Sequence, residues 1–298
     1  MNTRDLDYFQ KLCEIKNFSQ VAQSFGVTQP TITMALKRLE AHFKIQLIDR
    51  DQSHGQLRVT PAGAQLAAHA AVITHQLAVA EVELARARST KIQLGLPPII
   101  GSFYFPRLAP ALLQAGLMDR LQTHEAGSTR LLEALKAGHL DVALLGSIGP
   151  LAVAGLTARP LASAPFGLVV APNHPLAKRR SVAFAELSET PFVTLSEGFV
   201  HTKALSWFTR TTGVHPSIVY RTPDVAILKQ MVKAGVGAAL LASVAVTPGD
   251  GLVTLTLTEP GQPTFDMALV TGSHLVPTPA VTQLLTLLAN SQGETHAH

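Results

Sequence analysis

A single cysteine, Cys13, stands in the 298 residues, so the chain can close no disulfide on itself, as suits a reducing cytosol. It falls on an apolar helical face and reads as core filler. Charge is scarce as well. Asp, Glu, Lys and Arg make up 15% of the chain against 47% hydrophobic residues, which excludes a charge-extended disordered polymer and leaves ample material for packed cores. Long apolar runs are missing. Val236–Val246 falls well short of the ~20 residues that a bilayer span needs, and Leu151–Ala171 is broken by Arg159, Pro160 and Pro165. The opening MNTRDLDYFQ carries charges and no apolar segment of the signal-peptide kind. A soluble cytoplasmic protein is expected, with no membrane partner. No GxSxG, HExxH or Walker pattern occurs. Ala234-Gly235-Val236-Gly237 lacks the third glycine of a dinucleotide fingerprint, and His296 and His298 have no metal-ligand spacing. No enzyme activity, cofactor or metal is therefore expected.

What is present starts at the N-terminus. The formal net charge of +4 is compatible with a nucleic-acid partner without establishing one. The length suggests about two domains. Leu6, Phe9, Leu12 and Cys13 recur at helical spacing and predict a helix over about residues 4–15. Ser19 reads as the N-cap of a short helix that turns Val21, Ala22 and Phe25 inward. Gly26 supplies a tight turn and Val27 pins it. Thr28 then caps a further helix whose first turn tolerates Pro30. Ile32, Leu36, Leu39 and Phe43 form its buried stripe.

This layout is a helix-turn-helix, which sets its second helix in the DNA major groove. The DNA-facing candidates are Thr28, Gln29, Pro30, Thr31, Thr33, Met34, Lys37 and Arg38: Gln, Thr and Arg can read base edges, while Lys and Arg neutralise phosphates. A plain helical hairpin with a solvated polar face has the same pattern. Leu47–Asp49 and Leu57–Thr60, around the polar DQSHG, predict two short strands of a wing. Arg50, His54 and Arg58 are its candidate phosphate contacts.

The segment resembles the LysR-type transcriptional regulators. The resemblance rests on Leu6…Phe9, on Ser19…Ala22…Phe25-Gly26-Val27-Thr28-Gln29-Pro30, on Leu36…Leu39-Glu40, on Leu47…Arg50, and on Thr60-Pro61-Ala62-Gly63. Two positions depart from it. Lys44 stands where the family usually has Gly, which puts the helix C-cap in question, and Ile48 stands where Phe is common. Within the family, the first forty residues are similar to the malolactic-fermentation regulators of lactic acid bacteria. That similarity implies L-malate or a related dicarboxylate as effector and activation of malate-metabolising genes.

Residues 62–88 hold no proline and no glycine beyond Gly63. Leu66, Ile73 and Ala80 interleave with Ala70, Leu77 and Leu84 as the a and d positions of a short coiled coil. A dimer through this helix is expected; packing of the helix on its own domain is the alternative. The resemblance implies a linker-helix dimer and often a tetramer, with RNA polymerase as a further candidate partner. Arg86, Arg88 and Lys91 close the helix and read as a solvated hinge, with DNA contact as the alternative.

Beyond residue 91 strands and helices alternate: Ile92–Leu96, Phe103–Ala115, Leu121–Glu125, Thr129–Ala137, Val142–Leu145. The pattern predicts an α/β domain on a mostly parallel sheet. A second unit starts near Phe166, and strand Phe265–Thr271 with helix Pro279–Asn290 returns to the first. The expected organisation is a winged helix-turn-helix over 1–60, a linker helix over 61–90 and an effector-binding domain over 91–298. The last divides into about 91–161 with 265–290, and about 162–264. The resemblance implies two Rossmann-like subdomains, as in periplasmic binding proteins, joined by two crossovers near Leu161–Pro165 and Gly261–Thr264.

Ligands in such folds lie beyond strand ends and face helix N-termini, whose free N–H groups favour anions. The effector candidates are accordingly Pro98, Ile99, Gly101 and Ser102 after one strand, Gly127, Ser128 and Thr129 after the next, Ser196, Phe199 and His201 in the other unit, and Thr222 near the hinge. Lys203 follows the same loop and could bind a carboxylate with His201, although a solvated face is the reading its position favours. The expected function is DNA-binding regulation of double-stranded promoter DNA, switched by a small carboxylate. Its rivals are a two-lobed solute-binding protein and an enzyme with a fused DNA-binding domain.

Overall fold

The computed structural model describes residues 1–50, 57–86 and 89–290. The wing loop DQSHG with His54, then Arg88, and the tail beyond Asn290 with His296 and His298 lie outside the described residues. The chain divides into two compact units, Met1–Ala85 and Arg86–His298.

In the first unit, α1 (Thr3–Ile15), α2 (Phe18–Ser24) and α3 (Gln29–Phe43) pack on a core of Phe9, Leu12, Val21, Ile32, Leu36 and Leu39. A capping box opens α1: Asn2 Oδ1 accepts the Asp5 N–H at 2.9 Å and Asp5 Oδ2 accepts the Asn2 N–H at 3.0 Å. Asn17, rather than Ser19, caps α2 by accepting the Gln20 N–H, and Ser19 lies inside the helix. Thr28 holds the cap position of α3, but its hydroxyl bonds that of Thr31 at 3.0 Å and caps no backbone N–H. Phe25 and Phe43, expected inside, are 41% and 42% exposed. Phe25 is the C-cap of α2 and rests edge-on against Tyr8, Phe43 is the last residue of α3, and Ala35 completes the buried face.

The wing is a short antiparallel pair, β1 (Ile48–Arg50) and β2 (Leu57–Val59), with Ile48 opposite Val59. Glu40 fastens it to α3, its Oε1 accepting the N–H groups of Leu47 and Ile48. Helix α4 (Pro61–Arg86) follows as one 26-residue element. The Thr60 hydroxyl accepts the Gly63 N–H, and a Cβ at Gly63 would stand 2.1 Å from the Leu47 carbonyl oxygen. Only glycine admits that approach. The heptad stripe divides along α4: Leu66 and Ala70 pack on the first unit's core, while Ile73, Leu77 and Leu84 stay exposed.

In the second unit β3 (Ile92–Gly95), β4 (Leu121–His124) and β5 (Val142–Ser147) pair in parallel, with α5 (Pro98–Phe103), α6 (Phe105–Gln114) and α7 (Ser128–Lys136) in the connections. Strand β6 (Leu156–Val170) then runs for 15 residues. β7 (Ser181–Val182), β8 (Phe192–Leu195), α8 (Val200–Thr212), β9 (Ile218–Thr222), α9 (Val225–Lys233), β10 (Ala239–Ala242) and β11 (Val253–Leu257) build a second lobe. β12 (Thr264–Gly272) and α10 (Pro279–Asn290) return to the first.

The sheet is mixed, not mostly parallel. β12 is antiparallel to both β5 and the first half of β6, and the second half of β6 is antiparallel to β10 and β11. The two chain passages between lobes, within β6 and just before β12, oblige these strands to return in the opposite sense. Arg86 and Lys91 serve this unit internally: Arg86 pairs with Asp141 at 3.3 Å and Lys91 donates to the Asp119 carbonyl.

Candidate functional site

Two surfaces carry the chemistry, one on each unit. On α3, Ile32, Ala35, Leu36 and Leu39 are buried, which fixes what the opposite face shows. Thr28, Gln29, Pro30, Met34 and Lys37 are exposed there, and Thr31 and Thr33 are half-buried. Pro30, Met34 and Lys37 follow at i, i+4 and i+7 and share one side of the helix. Arg58 is exposed on β2, and of Arg50 only the backbone, in β1, is described.

Arg38 is exposed as well, but it also makes an internal contact. Its guanidinium grips the fully buried Asp5, with Nη2–Oδ1 at 2.5 Å and Nε–Oδ2 at 3.1 Å. A buried carboxylate needs such a partner, so Arg38 joins α3 to α1. Burial pushes the Asp5 carboxyl up, but the hydrogen bonds from Arg38 and Asn2 and the Arg38 charge outweigh it and hold the group below the usual carboxylate value. Cys13 is half-buried, and burial raises its thiol to about 11.

The second surface is the cleft between the lobes. Its expected residues do not converge on one pocket. Pro98 opens α5, Ile99 is buried, and Gly101 packs on Leu96. Ser102 is exposed in a cavity of about 190 Å3 that it shares with Val225 and the Lys229–Asp250 pair of the other lobe. A second cavity, of about 320 Å3, is lined by Ser128, Thr129, Gly146, Ser147, Val200 and Lys203.

The lobes touch beside the second cavity. The Thr129 N–H, at the start of α7, donates to the Gly198 carbonyl at 3.3 Å. A Cβ at Gly127 would lie 2.6 Å from that oxygen. The helix N–H expected to meet an anion is thus taken by a carbonyl of the opposite lobe.

Several hydroxyls serve the fold. Ser128 Oγ accepts the Gly146 N–H at 2.9 Å, and Thr222 Oγ1, buried, accepts the Asp224 N–H at 3.1 Å. Ser196 is half-buried, its N–H on the Thr222 carbonyl, and Phe199 is the half-buried N-cap residue of α8. His201 does not face the cleft as expected. It is buried edge-on to Phe166, near Phe265, and its Nε2 accepts the Ala242 N–H at 3.2 Å. Burial pushes its imidazole down to about 3, so the ring is neutral. The cation at this edge is Lys203, exposed near the start of α8, which the sequence leaves between a carboxylate contact and a solvated face.

Comparison with known proteins finds a matching family for each unit. Residues 3–64 match the bacterial regulatory helix-turn-helix protein, lysR family, and residues 85–293 match the LysR substrate binding domain. The chain is 29% identical over 244 residues to the malolactic fermentation system transcriptional activator of Lactococcus lactis, covering 82% of each chain. It is 30% identical over 277 residues to the hydrogen peroxide-inducible genes activator of Dickeya chrysanthemi, covering 91% of this chain and 89% of that one. Among solved structures, the effector binding domain of QuiR in complex with shikimate superposes with a TM-score of 0.61 at 17% identity, covering 70% of this chain and 99% of that one.

Proposed function

The chain belongs to the LysR family of bacterial helix-turn-helix transcriptional regulators, and on that premise we propose that it is a cytoplasmic activator that binds promoter DNA as an oligomer and answers a small carboxylate. The observation that carries the DNA reading is the exposed face of α3, where Gln29, Met34 and Lys37 stand out, with Thr33 half-buried beside them, away from a fully packed side. Gln and Thr can read base edges in the major groove, and Lys37 and Arg58 can neutralise phosphates. The exposed Ile73, Leu77 and Leu84 of α4 supply an apolar stripe for a second copy. Two copies would set two α3 helices on a dyad-symmetric site.

The carboxylate reading rests on the interlobe cavities. Thr129 and Lys203 offer a hydroxyl and a cation in one of them, and Ser102 a hydroxyl in the other. Malolactic regulation in one relative and shikimate in the related domain both involve carboxylic acids. Peroxide, named for another relative, fits this chain poorly. Its one thiol has no second thiol to pair with, and a thiol raised to about 11 holds little thiolate at neutral pH.

A mobility shift with the DNA upstream of its own gene, over a salt series and with and without L-malate, tests both halves. Binding should weaken steeply with salt and shift with the carboxylate. Binding that ignores sequence and salt would refute the DNA reading, and binding indifferent to every carboxylate would refute the effector reading.

A further inference from the structure

The cavity at Lys203 adjoins a larger one. Ser147, Pro150 and Leu151 line it, and they also line a groove of about 690 Å3 over β6 and β12. Strand register explains the adjacency. Asp266 on β12 stands opposite Ser147 on β5 and opposite Ser163 on β6. Directly paired residues carry their side chains on one face of the sheet.

Asp266 lines the far groove and is held in place. Its Oδ1 accepts the Ser163 hydroxyl at 2.6 Å and the Thr264 hydroxyl at 2.8 Å. Both bonds fall on one oxygen, so the carboxylate is oriented, and among the described residues no cation pairs with it. Pro150 and Leu151 form an apolar wall common to both cavities, and Ala162 and Met267 extend it in the groove. At the other end stands the Lys203 ammonium, with the Thr129 hydroxyl beside the same cavity.

An ammonium at one end, a carboxylate at the other and hydrocarbon between them complement a molecule with the reverse arrangement. We propose that the effector is an amino carboxylate, its carboxylate received at Lys203 and its ammonium at Asp266, with a short methylene chain along the apolar wall. This inference rests on the effector reading of the cleft and narrows it. A dicarboxylate long enough to leave Lys203 would bring its second negative charge towards Asp266, which repels it.

The test is ligand-induced thermal stabilisation of the full-length protein. Three series of matched chain length are compared: simple alkanoates, α,ω-dicarboxylates and ω-amino carboxylates. An ω-amino carboxylate of one preferred length should half-saturate at a concentration about tenfold lower than its alkanoate and dicarboxylate counterparts. Lys203→Met should remove the response to all three. Asp266→Asn, which keeps an acceptor for Ser163 and Thr264, should erase the preference for the amine while alkanoates still bind. A dicarboxylate that binds as well as the amino carboxylate, or an amine preference that survives Asp266→Asn, overturns this inference and leaves the carboxylate reading standing. Absence of a response to every series in the parent protein overturns both.

Discussion

Lys44→Gly should make the N-terminal unit more stable. Lys44 follows α3 with φ 54° and ψ 35°, in the left-handed region, and its N–H reaches the Glu40 carbonyl. The Ile45 N–H bonds the same carbonyl at 3.3 Å, the six-to-one closure of a Schellman turn. For a residue with a Cβ the left-handed conformation costs about 1–2 kcal/mol. Glycine escapes that cost but gives up about 0.5–1 kcal/mol through its freer unfolded chain. The balance lies at about 0–1.5 kcal/mol, a gain of about 0.75 kcal/mol at its centre. For a unit of this size, 1 kcal/mol corresponds to about 4–8 °C in Tm. Differential scanning calorimetry of the full chain should show one of two transitions move by a few degrees and the other stay. Lys44→Ala is the decisive control, because it removes the same ammonium and keeps the strain. It should bring no gain. Equal stability of the Gly and Ala variants would refute the conformational account. If Lys44 also touches a phosphate, both variants lose DNA affinity alike.

Acid should separate the two units. His201 is neutral and buried with its pKa lowered to about 3, so the unfolded chain takes up its proton first. The C-terminal unit therefore loses stability as pH falls below about 6.5, by up to about 1.4 kcal/mol per pH unit; a flat urea midpoint between about pH 6.5 and 4.5 would contradict this. Asp5 is lowered below the ordinary carboxylate value, so its contribution is complete above about pH 4 and disappears only as pH falls further. Arg38→Ala should weaken DNA binding by loosening α1 against α3, with a lower urea midpoint for the N-terminal unit; reduced affinity at an unchanged midpoint would return Arg38 to the DNA surface. Lys37→Ala should keep the midpoint and reduce the salt slope of DNA binding by about 0.9 for each phosphate that the Lys37 ammonium neutralises; an unchanged slope would take Lys37 off the DNA. Gly127→Ala should force the Gly198 carbonyl away, since its Cβ would lie 2.6 Å from that oxygen, and the Thr129 amide should then exchange hydrogen faster; unchanged exchange would mean that the lobes do not bear on each other there.

Local patterns make the N-terminal unit legible, because its helices are short, capped and one-sided. Even there the pattern puts the cap of α2 on Ser19, whereas Asn17 holds it, and sets both Phe25 and Phe43 inside. Serine and asparagine compete for the same role within three residues, and a periodic stripe does not say where its supporting core stops. The strand β6 is harder. Pro160 and Pro165 lie within it, and proline inside a strand normally argues against one. They are tolerated here beside the register shift at Met267/Ala268 and at the passage from one lobe to the other, where the ladder changes partners. Only the fold supplies that information.

The cleft shows a different limit. His201 and Lys203 both follow the loop at Ser196–Phe199, and nearness in sequence makes both of them candidates for a carboxylate, with a solvated face as the favoured reading of Lys203. Two residues along a helix span about 200° of rotation, so the two side chains face opposite ways and only one can look into the cleft. Burial then decides which. A neutral imidazole can sit against Phe166 and near Phe265 with one hydrogen bond from Ala242. An ammonium in that place would forfeit its hydration with no anion to replace it. The residue able to be buried goes into the core, and the residue unable to be buried is left at the cavity edge, where an anionic ligand can meet it. Helical phase and the cost of burying charge together assign the cation at this site to Lys203, and both follow from the amino-acid sequence.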